Sequence, residues 1–370
     1  MPTVNANIRQ KFLESYIEKP FESSFLTSWF KTTPRDIVMA EKVNIDVMRS
    51  KNIIAPVITA QDERVPKIER SRYEEREVIP PIVGLGYDIT AKDIGGKIFG
   101  MDPFESANYD YTRNLLPFNA DKMRNVESAI NNHIELQASQ ILQTGKLDLN
   151  DKNGNSAYKI DFGVKASHLP SVTTAWSDTT NADPIQDIEN LCKVILKDGK
   201  VKVKSLIFGE TAWKNFTENT KIKDKLNLRR ANTIIIDPKY FRNDATLQGE
   251  LYLGSEKVIC YTYDSFYQKN DGTTVDYLDT NKIIFLPDST ENNYDFRKVY
   301  ALVPNLTGVD ARLASIIQAL PDFMNLGDRA YTFRMWVNDK GDSIEAELKT
   351  RPILIPVSTD SFGCLKTTTN

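Results

Sequence analysis

The chain has 370 residues, 41% of them hydrophobic, and its 50 acidic and 47 basic residues give a net charge of −3. The length allows two or three domains, and the charge balance argues against a dedicated nucleic-acid binder, which would carry a basic excess. Cys192, Cys260 and Cys364 have no paired spacing, so we expect reduced core residues. The polar N-terminus, and the lack of any apolar run near ~20 residues, predict a soluble cytosolic protein without a signal peptide or membrane helix.

Residues 1–41 are expected to form an N-terminal arm. Apolar positions between Ile8 and Ile17 predict a short amphipathic helix that ends before Pro20. A dense patch of large hydrophobic residues follows at Phe21, Phe25, Leu26, Trp29 and Phe30. Two interpretations stay open, since this patch can pack on its own domain or on a neighbouring subunit.

Residues 42–90 predict an extended two-stranded β-ribbon. Val43, Ile45 and Val47 alternate with polar residues, and residues 78–83 return as an extended limb. Between the limbs, residues 62–77 form a charged tip with six acidic and five basic residues. Such a ribbon cannot bury a core of its own, so it is either covered by another element or a solvated hairpin.

A long helix is predicted over residues 119–144. Asn119 follows Pro117 as a candidate N-cap, and Gly145 is a stop signal. A continuous apolar stripe recurs at three- and four-residue steps, at Met123, Val126, Ile130, Ile134, Ala138 and Ile141. The helix would span roughly 40 Å. Residues 146–162 then predict a β-hairpin that turns at Asn153-Gly154.

Residues 183–329 have the pattern of a compact α/β domain. Asp183 and Pro184 are typical of a helix start, and Gly199 of its end. The core-facing stripe of this helix comprises Ile185, Ile188, Leu191, Cys192, Ile195 and Leu196. A second helix is predicted over residues 211–219, and strands over residues 203–208, 233–236, 257–263, 283–286 and 299–303.

The C-terminal residues predict a long β-hairpin and two short strands. Residues 331–336 alternate as an aromatic strand, residues 338–342 supply a turn, and residues 344–348 return. The run 353–355 is enclosed by Pro352 and Pro356. Because proline cannot donate to a sheet ladder, this run is expected at or beside a sheet edge.

No catalytic, cofactor-binding or metal site is predicted. Neither His133 nor His168 has a metal or triad spacing, and Gly84-Leu-Gly86 lacks the third glycine of a dinucleotide loop. Leu149 and Ile160 stand where a calcium loop needs its first and last carboxylates. The lysine-rich stretch 193–230 contains interleaved acids, which favours a solvated or subunit-facing surface over a DNA-binding groove.

The order of these elements resembles the lambda-type major capsid proteins of tailed bacteriophages, the phage major capsid protein E family. The C-terminal hairpin carries the resemblance, together with Asp224–Arg230 and Phe285–Thr290. It implies an α+β fold, the Hong Kong 97-type phage capsid fold. Its parts would be an N-terminal arm (1–41), an extended β-ribbon E-loop (42–90), a P domain (91–182 and 330–370) with a long spine helix (about 119–144), and an α/β A domain (183–329).

The resemblance further implies a major capsid protein, not an enzyme. It would self-assemble into hexamers and pentamers that form the icosahedral head of a tailed double-stranded DNA bacteriophage. Portal, scaffold and decoration proteins and packaged DNA, bound without sequence specificity, would be its partners. It would be found in the virion, and in the host cytoplasm during assembly, with no cofactor and no membrane. Some capsids of this fold crosslink a lysine to a neighbour, for which Lys51 and Lys67 are candidates.

Two alternatives stay open. An encapsulin-like nanocompartment shell would use the same fold to enclose a cargo enzyme. An enzyme with an unrecognised α/β site within residues 183–329 is the second.

Overall fold

The computed structural model describes residues 25–38, 40–47, 74–90, 111–150, 156–227, 234–242, 245–253, 256–269, 272–288, 294–303, 330–337 and 343–369. Within these ranges the α-helices are α1 (Tyr111–Thr144), α2 (Pro184–Gly199), α3 (Glu210–Glu218) and α4 (Thr220–Asn227). Short 3-10 helices lie at Leu26–Trp29, Pro34–Asp36 and Ala166–His168. None of the described helices is both long and apolar enough to cross a membrane.

Strands of the N-terminal half are β1 (Val43–Val47), β2 (Glu74–Val78), β3 (Val83–Thr90), β4 (Lys146–Asn150), β5 (Ser156–Asp161) and β6 (Val203–Phe208). Those that follow are β7 (Ile234–Arg242), β8 (Ala245–Leu253), β9 (Glu256–Tyr263), β10 (Phe266–Gln268), β11 (Thr274–Asp276) and β12 (Lys282–Pro287). The last are β13 (Phe296–Tyr300), β14 (Tyr331–Val337), β15 (Ser343–Thr350), β16 (Pro352–Pro356) and β17 (Gly363–Lys366). The fold is therefore mixed α+β, as the sequence predicted.

A six-stranded sheet in the order β17-β12-β6-β9-β8-β7 is the centre of the molecule. Only its β6–β9 pair is parallel. Because side chains alternate along a strand, each inner strand contributes to two cores. Leu206, Phe208 and Phe285 face α2 and α3. Ile207 and Ile284 face α1 and the N-terminal 3-10 helix.

The long helix is confirmed, but its predicted start was wrong. Helix α1 begins at Tyr111, so Pro117 and Asn119 lie inside it and Asn119 is not its N-cap. A proline removes one backbone donor and disfavours the helix interior without forbidding it. The end is as predicted, since Gly145 follows the helix with a φ of +68°. The described part of the apolar stripe is buried, at Val126, Ile130, Ile134, Ala138 and Ile141.

Helix α2 has the predicted bounds, with Asp183 accepting a hydrogen bond from the Gln186 amide. Most of its stripe is buried, but Leu196 is 46% exposed, so its assignment to the core was wrong. Gly199 ends the helix, while Lys200 takes the left-handed conformation. A glycine is needed at position 199 because of close packing: a Cβ there would lie 2.2 Å from the Asp360 carbonyl oxygen.

Strands β8, β10 and β11 were missed by the sequence prediction. In β8 the strict alternation fails where the pairing register shifts between Leu247 and Gly249. Gly249 has a φ of +152°, and a Cβ there would lie 1.9 Å from the Ile235 carbonyl oxygen. A bulge of this kind changes which face the later residues occupy, so a period of two no longer identifies the strand.

Both hairpins are confirmed in their described parts, and the two-stranded ribbon is confirmed with a different return limb. The predicted limb 78–83 was wrong, because the return strand β2 ends at Val78 and residues 79–82 form no strand. Strand β1 pairs antiparallel with β2, β4 with β5, and β14 with β15, which also pairs with β3. Glu74–Glu77, assigned to the charged tip, belong to the return strand β2. The remaining tip residues and the predicted turns at 153–154 and 338–342 lie outside the described residues.

Strand β16 forms a two-stranded sheet with β13 alone, which agrees with the edge position predicted from its prolines. It is nevertheless fully buried. Two pairings cross the boundary expected at residue 330, since β13 pairs with β16, and β17 is the edge strand beside β12 in the central sheet. The parts on either side of that boundary therefore interlock.

Candidate functional site

A buried carboxylate joins three distant parts of the chain. Glu135, in the middle of α1, is 1% exposed. One carboxylate oxygen accepts hydrogen bonds from the Leu26 amide and the Tyr263 hydroxyl, each at 2.7 Å. The other accepts from the amide and the hydroxyl of Thr27, at 3.0 and 2.6 Å. We call this arrangement the Glu135 hub; it connects α1, the N-terminal 3-10 helix and the central sheet.

Hydrogen bonds to the hub oppose the electrostatic cost of burying a carboxylate. Burial raises the pKa of Glu135, and the bonds from Thr27, Leu26 and Tyr263 act in the opposite direction. Sequence reasoning missed this residue. The sequence did contain one signal, the helical spacing of Glu135. It lies three residues before Ala138 and seven before Leu142, which are both fully buried, so this spacing places it on the same buried face of the helix.

The hydrophobic patch of the N-terminal arm packs on its own chain, so the first of the two interpretations is confirmed for its described members. Phe25 contacts Tyr261 and Tyr263 with ring centroids 5.6 and 5.3 Å apart. Phe30 lies 5.0 Å from Phe296. The segment also continues the β13 sheet, because Lys31 forms a parallel bridge with Arg297. Phe21 lies outside the described residues.

Polar side chains of α1 replace missing backbone partners. The Gln137 amide donates to the Pro352 carbonyl and accepts from the Leu354 amide, both at 3.3 Å. It thereby supplies hydrogen-bond partners to backbone groups of β16 on the side of the strand that faces the helix. Further along α1, Ser139 and Gln143 both donate to the Tyr277 carbonyl. These contacts fix the helix against the C-terminal run and the loop before β12.

The two histidines lie on different elements, His133 on α1 and His168 at the end of the 3-10 helix Ala166–His168. His168 is fully buried, with Nδ1 2.8 Å from the Phe362 carbonyl oxygen and Nε2 3.3 Å from Asp198. Lys165 pairs with Asp198 at 2.8 Å and with Asp360 at 3.2 Å. This network ties the C-terminal end of α2 to the loop before β17.

His133 lies on α1 with a buried Nε2 that has no hydrogen-bond partner among the described residues. Burial lowers its pKa to about 4. An imidazole held in this way stays neutral and cannot exchange protons near neutral pH. The candidate crosslinking residues Lys51 and Lys67 lie outside the described residues.

The lysine-rich stretch is extensively paired where it is described. Lys202 and Lys204 both contact Glu256 and lower its pKa to about 2. Lys221 pairs with Asp183 at 3.0 Å. Burial raises the pKa of Cys192, Cys260 and Cys364 to about 12, so these free thiols are unreactive.

Comparison with solved structures identifies the fold. A protein assigned as the capsid protein of a prophage in Escherichia coli CFT073 superposes with a TM-score of 0.66 at 16% identity, over 99% of both chains. A phage-related protein from Bordetella bronchiseptica RB50 gives a TM-score of 0.53 at 9% identity, over 97% of this chain and 96% of that one. The fold is that of Hong Kong 97-like phage capsid proteins.

The family model for phage major capsid protein E matches residues 17–364. The chain belongs to this family, and it is therefore a major capsid protein of a bacteriophage. No curated protein sequence matches it significantly.

The Glu135 hub predicts that the substitution Glu135→Gln strongly destabilises the folded chain. Each carboxylate oxygen accepts from a backbone amide, so either orientation of a glutamine amide sets its NH₂ group against one of these donors. We expect a loss of about 3 kcal/mol in the free energy of unfolding, measured by chemical denaturation. Proteolysis of residues 25–38 should accelerate. Glu218→Gln, the same substitution at an exposed position of helix α3, is the control and should stay close to the wild type. Equal stability of all three chains would contradict the hub.

His133 predicts acid sensitivity of the unassembled subunit. Its pKa is about 4 in the folded chain, against an ordinary value of 6.5. The unfolded chain therefore binds more protons in this range, and stability is complete above pH 6.5 and decreases as the pH falls toward 4. The loss should reach about 3 kcal/mol at the acid end. His133→Gln should have a flatter stability profile; identical profiles would refute the assignment.

Proposed function

We propose that this chain builds the icosahedral head of a tailed double-stranded DNA bacteriophage by self-assembly into hexamers and pentamers. The observation that carries the proposal is the family match over residues 17–364. The fold supports it, because the long helix and the shared sheet make one interlocked body whose β1–β2 ribbon has only two strands. A two-stranded ribbon gains stability when another surface covers it.

In this proposal the parts of the chain have the roles that the capsid fold assigns to them. Residues 42–90 contain the E-loop, which extends across an adjacent subunit from a base held by its own chain, since Val43 is buried in the core and β3 pairs with β15. Helix α1 is the spine helix of a P domain formed by residues 91–182 and 330–370. Residues 183–329 are the A domain, near the axis of the capsomer. Residues 1–41 are the N-terminal arm, of which the part from Phe25 onward is anchored to its own subunit by the hub.

The role is structural and involves no catalysis or cofactor. Portal, scaffold and decoration proteins are its proposed partners, and packaged double-stranded DNA is contacted without sequence specificity. The protein is then a virion component that assembles in the host cytoplasm. An encapsulin-like shell remains the second candidate, because it would use the same fold. Nucleic acid packaged in particles purified from infected cells supports the phage head, and an enclosed enzyme supports the encapsulin-like shell.

Assembly of the purified chain tests the proposal directly. We expect capsomers, tubes or closed shells by electron microscopy and light scattering, because a two-stranded ribbon cannot bury a core of its own. A monodisperse monomer at high protein concentration, across a range of salt concentrations, would contradict the proposed function.

The E-loop assignment predicts that the charged tip acts between subunits. Reversing Arg64, Arg70 and Arg72, the tip arginines outside β2, to Glu should impair assembly and leave the melting temperature of the unassembled subunit nearly unchanged. The reason is that exposed ion pairs within one subunit contribute only ~0–1 kcal/mol each. Sedimentation and thermal melting measure the two effects. Unfolding of the monomeric variant would indicate an intramolecular brace, and normal assembly at low and high salt would indicate a solvated loop.

A further inference from the structure

The two ends of the central sheet carry surfaces of opposite charge, each with an exposed hydrophobic side chain. The basic patch comprises Lys193, Leu196, Lys197 and Lys200. The acidic patch comprises Glu210, Asp264, Phe266 and Asp276. The exposed side chains at their centres, Leu196 and Phe266, belong to neither hydrophobic core.

The basic patch occupies the last turns of α2 and the residue that follows them. Lys193, Leu196 and Lys197 are three and four positions apart, a spacing that places them side by side on a helix. Lys200 follows the helix in the left-handed conformation. Leu196 is 46% exposed at its centre. From Lys193 to Lys204 the sequence has five lysines and one acid, Asp198, and three of these lysines pair with Glu189 or Glu256. A large exposed aliphatic side chain with a charged rim is typical of a protein interface.

The acidic patch lies on the β10–β11 hairpin and the start of α3. Phe266 is 64% exposed, more than any other large hydrophobic side chain among the described residues. It is the direct register partner of Asp276. The Tyr277 amide, next to Asp276, donates to the Ser265 carbonyl, next to Asp264, at 3.0 Å, which brings these two aspartates together. Burial and then the charges of Glu210 and Asp276 raise the pKa of Asp264.

Topology sets the two patches at opposite ends of the same strands. Helix α2 leads directly into β6, so the basic patch lies where β6 begins. Strand β9 runs parallel to β6, and Phe266 follows its last residue, Tyr263, after two residues. The acidic patch therefore lies where both strands end, about 17 Å away at ~3.3 Å per residue.

We propose that the basic patch of one copy binds the acidic patch of the next copy in a head-to-tail contact. The inference rests on the proposed function, since hexamers and pentamers are rings. A ring requires two different, complementary surfaces on each subunit. The two patches meet that requirement in charge, in their exposed hydrophobic centres and in their placement at opposite ends of one rigid sheet.

A second copy explains more of these observations than packaged DNA does. DNA would account for the lysines but not for Phe266 or the three carboxylates. It would also leave Leu196 exposed, because the nucleic-acid backbone offers that side chain no apolar surface. The same chain supplies both complementary charges in equal number to every ring position.

A charge swap within one chain tests the contact. Lys197→Glu and Asp276→Lys each set like charges against each other at every contact, and each should lower the capsomer yield by about tenfold. The double variant restores opposite charges at every contact, so its yield should return close to that of the wild type. Lys197→Arg keeps the charge and should assemble normally. Yields are measured by sedimentation velocity, and melting of unassembled subunits verifies that each variant folds.

Each outcome decides. Loss in the single variants and rescue in the double variant supports the contact. Loss in the single variants without rescue in the double variant overturns it. Normal assembly of both single variants overturns it as well, and this is the result expected if the lysines face DNA. If the wild-type chain forms no capsomers under any condition, the proposed function itself fails, and the two failures are thereby distinguished.

Discussion

One buried carboxylate constrains how the chain can fold. Glu135 needs hydrogen-bond donors because an unpaired carboxylate in a dry core costs several kcal/mol. Those donors come from Leu26, Thr27 and Tyr263, residues more than a hundred positions away. The N-terminal segment, the long helix and the central sheet must therefore meet at one point. Hydrophobic packing alone would permit several similar arrangements, whereas these directional bonds permit one.

The central sheet extends this constraint to the rest of the molecule. Its inner strands bury residues on both faces, so the core under α1 and the core under α2 share a single layer. Strand β17 comes from the end of the chain and closes one edge of that layer beside β12. A movement of α1 relative to α2 would have to distort the sheet between them. Force applied at one end of the subunit is thus transmitted to the other end.

Periodicity predicted most of this fold, since elements with a regular apolar pattern were correctly identified. Helix α2 and strand β6 have the bounds expected from their sequences. Predictions failed where one residue serves a tertiary contact. Gly249 breaks the pattern of β8 because the backbone of β7 approaches it closely. The hub could not be predicted, because no local signal indicates that Thr27 and Tyr263 converge on Glu135. The ribbon tip remains a prediction, since most of it lies outside the described residues.

The division between buried and exposed polar groups matches what a shell subunit requires. Inside, the hub and the Gln137 amide satisfy their partners in fixed geometry. On the surface, lysines and carboxylates contribute little singly, and their geometry can adjust without an appreciable cost. Hexamers and pentamers need the same surfaces to meet at different angles. A rigid interior with adjustable, individually weak contacts is suited to this task, because each subunit has several neighbours and the closed shell gains its stability from their number.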